Sequence, residues 1–225
     1  MSETFLPAPQ PSWRLIPSRF PPIGLFDTVA TAADLEAVME LAGWTNDRLV
    51  ADRIDRLPRE EWVYGRANAS IVMAAFLHVA PAGARFNGPD LGAWYAAAEI
   101  RVAIAEVGHH LRREAVARGV AAVSRTYRSY SARLDGAYLD ISDWQESRPE
   151  LYAPDSYAAS QAFGESIRAG GGDGMLYGSV RLRGGMNVAA YRPSKVNDVV
   201  QAAHYEVTIH AGERRIEARR LAADA

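Results

Sequence analysis

The sequence predicts an α+β fold, and three observations carry that expectation. Two stretches repeat apolar residues at helical spacing: Ile100, Ile104, Val107 and Leu111 make one stripe, and Ala159, Phe163 and Ile167 another. Around them lie short runs of strand-like residues, including "WRLI" (13–16), "AWYAA" (93–97), "GMLYGSVR" (174–181) and "NVAAYRP" (187–193). Turn chemistry punctuates the runs, as at Asn87-Gly88-Pro89-Asp90 and Asp135-Gly136. Many short strands with several helices between them, and no internal repeat, point to α+β.

Taken in order, residues 1–12 contain Pro7, Pro9 and Pro11 and are expected to be a flexible tail. "WRLI" is a strand closed by Pro17, and "SRFPPIGLFD" (18–27) is a proline-bent loop. Asp34 caps a helix in which Leu35, Val38, Met39 and Ala42 recur before Gly43 stops it. A charged helix then runs to Pro58, and "SIVMAAFLHV" (70–79) is a buried helix leading into a turn at Pro81-Ala82-Gly83. Strands are expected at "ARFN" (84–87) and "AWYAA", then the helix that Gly119 ends. "TYRSYSARLDGAYLDIS" (126–142) reads as a hairpin about Asp135-Gly136. "SYAASQAFGESIRAGG" (156–171) is a second helix, and "HYEVTIHAGERRIEARRL" (204–221) a terminal hairpin.

With 225 residues, 48% of them hydrophobic, the chain is long enough to bury a substantial core. Its formal charge of −2 gives no basic surplus for a phosphate backbone, so direct nucleic-acid binding is not expected. The absence of cysteine excludes disulfides, thiolate catalysis and Cys-ligated metal. The N-terminus lacks a signal-peptide pattern, and the most apolar stretch (67–84) is broken by Asn68, Ser70, His78 and Pro81. A cytoplasmic protein that does not span the membrane is expected.

Few residues announce chemistry by spacing. Glu106, His109 and His110 could supply metal ligands, but on a helix His109 points away from the other two, and neither HExxH nor HxH occurs. The glycine run at 169–175 follows a helix instead of opening one, so it reads as a helix stop and not as a phosphate cradle. No GxSxG elbow is present. Glu99 and Glu106 share a stripe ~10 Å apart along the axis. On spacing alone Glu106, about 120° from the centre of the apolar stripe, is a solvated flank residue.

The succession "WRLIPSRF", "GARFN", "GAWYAAAEIRVAIAE", "SYAASQAFGESIRAGGGDGMLYGSVR" and "NVAAYRP" resembles the RES-domain family, toxins of RES–Xre toxin–antitoxin pairs. The likeness runs from about 13 to 193 and implies one RES domain over 13–225, with a helical insertion (34–75) and a terminal hairpin (200–225). It implies an ADP-ribosyltransferase-like fold: short antiparallel and mixed strands in a split central sheet with surrounding helices. Members degrade NAD⁺ by hydrolysis or phosphorolysis of the nicotinamide–ribose bond, with no cofactor and with inorganic phosphate as a possible co-substrate. An Xre-type helix-turn-helix antitoxin is the implied partner, and the C-terminal hairpin offers an edge for a homodimer.

Residue by residue, the resemblance makes Arg14, or Arg19 in its place, and Arg85 the arginines that hold the pyrophosphate. Tyr95 would stack on or hydrogen-bond nicotinamide, and Glu106 would stabilise the oxocarbenium-like state. The family serine matches Ser179. In some members it sits three residues before a glutamine, which here is Ala158 before Gln161, with Ser160 as a substitute. Phe86 stands where the family has tryptophan and Ala84 where it has glycine. Ala158 and Phe86 motivate one alternative, a weak or inactive nucleotide-binding or interaction module with the same fold; a protein ADP-ribosyltransferase sharing the clamp is another.

Overall fold

Nine strands hydrogen-bond into one mixed sheet in a computed structural model that describes residues 3–20, 24, 26–31, 33–34 and 52–222. They are β1 (Phe5–Leu6), β2 (Ser12–Pro17), β3 (Trp94–Ala97), β4 (Ala122–Leu134), β5 (Tyr138–Asp140), β6 (Gly174–Gly178), β7 (Met186–Ala190), β8 (Val196–His210) and β9 (Ile216–Arg220). The order across the sheet is β1-β5-β6-β7-β3-β2-β4-β8-β9, antiparallel throughout except for β5 beside β6. The split sheet that was expected is therefore one sheet among the described residues. Its two halves nevertheless meet through a single residue pair, Trp13 with Ala97, between β2 and β3.

Of the α-helices wholly within the described residues, three cover it: α1 (Ala69–Leu77), α2 (Ile100–Ala117) and α3 (Ala158–Ala169). Alternate residues of a strand point to opposite faces, so each face builds its own core. On one face Trp94, Ala96, Tyr130, Leu176, Val188 and Ala190 pack with α1, whose Met73, Phe76 and Leu77 are fully buried. On the other face the two remaining helices lie side by side. α3 covers Met175, Tyr177, Ala189 and Tyr191, and α2 covers Leu15, Ala97, Tyr127, Val207 and Ile209. Both helices end in the same way: Gly119 (φ 64°) and Gly171 (φ 83°) adopt the left-handed conformation. Val120 N–H then bonds Ala115 C=O at 3.0 Å, and Gly172 N–H bonds Ile167 C=O at 2.9 Å.

Several expectations change. Residues 5–6 are not a tail: Phe5 pairs with Leu139 and Leu6 with Tyr138, and Ala8 is buried, because prolines that bar a helix are tolerated beside an edge strand. "ARFN" is not a strand but a tight turn closed by one bridge, Ala84 to Asn87. Asp135-Gly136 does not close a hairpin; β4 pairs with β2 and β8, whereas β5 crosses to the far half beside β1 and β6. In α3 it is Ser160 and Gly164 that are buried, while Ala159 is exposed. The helix expected over 34–43 lies outside the described residues apart from its first position. Among the described residues no helix is long and apolar enough to cross a membrane.

Candidate active site

A cleft of about 690 Å³ opens between α2 and α3, over the seam in the sheet. Its floor draws on both faces of the sheet: Trp13, Leu15, Tyr95 and Ala97 from one, Arg14 and Ala96 from the other. That is possible because β2 and β3 part after their single pair. α2 contributes Glu106, Val107, His110 and Arg113 to one wall; Arg85, Tyr157 and Gln161 line the other.

Glu106 is half-buried, not solvated. Its Oε1 accepts two hydrogen bonds, from Ser179 Oγ at 2.7 Å and from Asn187 Nδ2 at 2.8 Å. Ser179 is buried, and its hydroxyl oxygen accepts the N–H groups of Arg181 and Leu182, each at 3.1 Å. With both acceptor directions taken, the single hydroxyl proton is directed at the carboxylate. Oε2 of Glu106 accepts no hydrogen bond among the described residues. The chain thus fixes one oxygen of the acid and leaves the other for the cleft.

Arg14 Nη1 donates to the Tyr95 carbonyl at 3.0 Å, and its guanidinium lies 4.9 Å from the Trp94 ring centroid. Burial pushes its pKa down to about 10, partly offset by Tyr95, so it is a cation at neutral pH. Its Nε is buried with no acceptor among the described residues. Arg85, only 8% exposed, donates to the Ala153 carbonyl at 3.1 Å and stacks 4.7 Å over Tyr157. Neither arginine forms an ion pair with a carboxylate among the described residues. Arg113 and Arg181, also lining the cleft, form none either. Four arginines against two carboxylates, Glu106 and Asp155, make this a basin for an anion.

Of the two roles expected for Tyr95, stacking on or hydrogen-bonding to nicotinamide, its hydroxyl is already engaged within the protein. Its oxygen accepts Phe86 N–H at 2.9 Å and donates to Asn87 Oδ1 at 2.8 Å, so the phenol clamps the Arg85 turn and only its ring faces the cleft. Burial raises its pKa strongly, keeping that donor protonated. Gln161 straddles the same turn, donating to Ala82 and Ala84 carbonyls at 2.8 and 2.9 Å. Phe86 is wholly buried and meets Tyr177 edge-on at 4.8 Å.

The structure therefore brings Arg14, Arg85, Tyr95, Glu106 and Gln161 to one cleft, with Ser179 immediately behind the acid. Two candidates do not join them. Arg19 is exposed at the end of β2, its guanidinium over Phe20. Ser160 is fully buried and bonds back to the Tyr157 carbonyl at 3.2 Å within its own helix. Asn187, Arg113, Arg181 and Tyr157 were not anticipated. Arg113 lies seven residues after Glu106, two helical turns along the same face, so periodicity alone could have found it. Asn187 was marked only by being a polar side chain opening an apolar strand.

Comparison with known proteins gives a family model, the RES domain, that matches residues 51–210. Trp13, Arg14 and Leu15 precede that stretch; the other cleft residues discussed fall within it. Among solved structures the chain is similar to a chain of the crystal structure of the M. tuberculosis MbcT–MbcA toxin–antitoxin complex. That match has 20% identity and a TM-score of 0.39, and covers 54% of this chain and 73% of that one. No curated protein matches the chain.

Proposed function

Because the chain belongs to the RES-domain family, we propose that it is the toxin of a toxin–antitoxin pair and degrades NAD⁺ at the nicotinamide–ribose bond. The observation that carries this reading is the constellation around Glu106. A carboxylate held on one oxygen by Ser179 and Asn187 shares a cleft with the half-buried Arg14 and the buried Arg85, neither of which has a carboxylate partner among the described residues. An ADP-ribosyltransferase-like fold, action in the cytoplasm on the NAD⁺ pool and an Xre-type helix-turn-helix antitoxin belong to the same proposal.

In this reading the pyrophosphate sits between Arg14 and Arg85, whose guanidinium groups match phosphate oxygens and gain strength from their burial. The rings of Tyr95 and Tyr177 flank the nicotinamide. The C1′–N bond breaks with its electron pair going to the nicotinamide nitrogen, which becomes neutral and needs no general acid. Positive charge then develops at the ribose, opposite the free Oε2 of Glu106. The C1′ centre is taken by the oxygen of water or of inorganic phosphate. If water attacks, it releases one proton, for which Glu106 is a base within the cleft.

The test is product analysis after incubating purified protein with NAD⁺, in phosphate buffer and in phosphate-free buffer. ADP-ribose in both means hydrolysis; its 1″-phosphate in the first alone means phosphorolysis; adenine-labelled NAD⁺ whose label stays on protein means transfer. Glu106→Gln is expected to abolish nicotinamide release. NAD⁺ left intact in both buffers, or equal turnover by Glu106→Gln and wild type, would overturn the proposal.

A further inference from the structure

The nine-stranded sheet ends on one side in β1, with two residues, and on the other in β9, with five. Among the described residues β9 pairs only with β8, and Glu217 to Arg220 are exposed. Which of its backbone groups are free follows from the register. Leu221 N–H bonds His204 C=O at 2.9 Å, and hydrogen-bonded pairs alternate along an antiparallel ladder. Arg219 with Glu206 and Glu217 with Thr208 are then the bonded pairs. The N–H and C=O groups of Ile216, Ala218 and Arg220 therefore face away from β8.

An exposed edge carrying Arg219 and Arg220 would ordinarily repel another strand. Here Glu217 reverses that for one register of one partner. If two copies of β9 meet antiparallel about a two-fold axis at Ala218, residues 216, 218 and 220 meet 220, 218 and 216 of the other copy. These three pairs each exchange two backbone bonds. The intervening pairs, where side chains come closest, set Glu217 against Arg219 of the second copy, twice. Glu206 already bonds Arg219 at 2.9 Å and Arg215 approaches Glu217 at 3.3 Å. Each half of the joint would thus carry a row of alternating sign: Glu206, Arg219, then Glu217 and Arg215 of the second copy. Shifting the axis to Glu217 or to Arg219 places like charges against each other, and moving it further leaves part of the strand unpaired.

We propose that the protein self-associates through β9, a second copy of this chain extending the sheet across a two-fold axis at Ala218. The joint lies behind the cleft: Ile216 packs where Gly108 of α2 leaves room, and Arg112 donates to the Arg215 carbonyl at 3.0 Å. The contact would brace the helix that carries Glu106.

Sedimentation equilibrium of the full chain tests this. Wild type is expected to approach twice 24.6 kDa as concentration rises and to dissociate on dilution. Ala218→Pro removes the central outward N–H without touching the ladder to β8 and should leave a monomer. Glu217→Arg and Arg219→Glu, taken separately, each set like charges opposite one another and should weaken association by about tenfold or more. Mixing those two variants should restore it, because one copy then carries two positive and the other two negative side chains at the joint. Circular dichroism confirms folding of each, and the charge pair stands alone should the proline variant misfold. A wild type that stays monomeric into the millimolar range overturns the proposal. So does a dimer indifferent to all three substitutions, or a mixture no tighter than either variant alone.

Discussion

Replacing Ser179 by alanine separates two jobs that the hydroxyl performs at once. Its oxygen accepts the N–H groups of Arg181 and Leu182, and its proton goes to Glu106 Oε1 at 2.7 Å. Loss of one hydrogen bond to a charged carboxylate costs about 1.5–3 kcal/mol. Expressed where Glu106 faces the developing charge, that is a kcat lower by roughly 10- to 100-fold. The KM for NAD⁺ should hold, since Arg14 and Arg85 do not touch Ser179. The two orphaned N–H groups should in addition lower stability by about 1–3 kcal/mol. Asn187→Ala removes the other bond to the same oxygen. Once one bond is gone the carboxylate is freer to turn, so the double variant should lose less than the two single losses combined. Initial rates of nicotinamide release and thermal melting measure both quantities. A Ser179→Ala protein with lowered Tm but unchanged kcat would show that the hydroxyl serves only the 179–182 turn, and the positioning argument would fail.

Gly164→Ala should destabilise the protein even though alanine is the better helix former by about 1 kcal/mol. A Cβ there would stand 2.1 Å from the Phe86 carbonyl oxygen and 2.5 Å from the Tyr191 hydroxyl, so a Tm that rises would refute the close approach of α3 to the Arg85 turn. His109 is pushed down to about 4 by burial, with Arg181 and His110 adding to the effect. The unfolded chain therefore binds a proton that the folded one refuses as pH falls from 6.5 towards 4, stability drops across that window, and melting of His109→Gln should show a shallower drop. Arg14→Lys keeps a charge but loses the fork, and a lysine starts from a lower pKa under the same burial. Its KM should exceed wild type by about tenfold and climb further between about pH 7 and 9, where Arg14 stays charged; a flat profile would count against the buried-cation argument.

What the sequence disclosed was what is local in it. The α2 and α3 stripes and the glycines that stop them depend on neighbours a few residues away, and those elements form where spacing places them. Strand partners are decided by the whole sheet. Asp135-Gly136 has the chemistry of a hairpin turn, yet β5 finds its partners in β1 and β6, which the turn cannot encode. Spacing also misjudged Glu106. The helical wheel correctly puts it off the apolar stripe, but α2 is covered on two sides, by the sheet through Leu111 and Ala115 and by the cleft through Glu106 and Arg113. Only the family resemblance singled out that acid. Its partner Asn187 lies 81 residues away in the chain, and nothing in either neighbourhood links the two.

The seam explains why these residues meet. β2 pairs with β4 over six residues and β3 with β7 over four, but β2 and β3 share one. Beyond that pair the backbone groups of the parting strands need other partners, and Arg14 supplies one by donating to the Tyr95 carbonyl across the gap. A guanidinium drawn into the sheet for that purpose is desolvated, which strengthens its pull on any anion that enters. A fully zipped β2–β3 ladder would have satisfied the same carbonyl with a backbone N–H and left Arg14 no reason to be buried. The unmade ladder is thus what draws Arg14 to the floor of the cleft as a cation with no carboxylate partner among the described residues, and what leaves room beside it for the acid of α2.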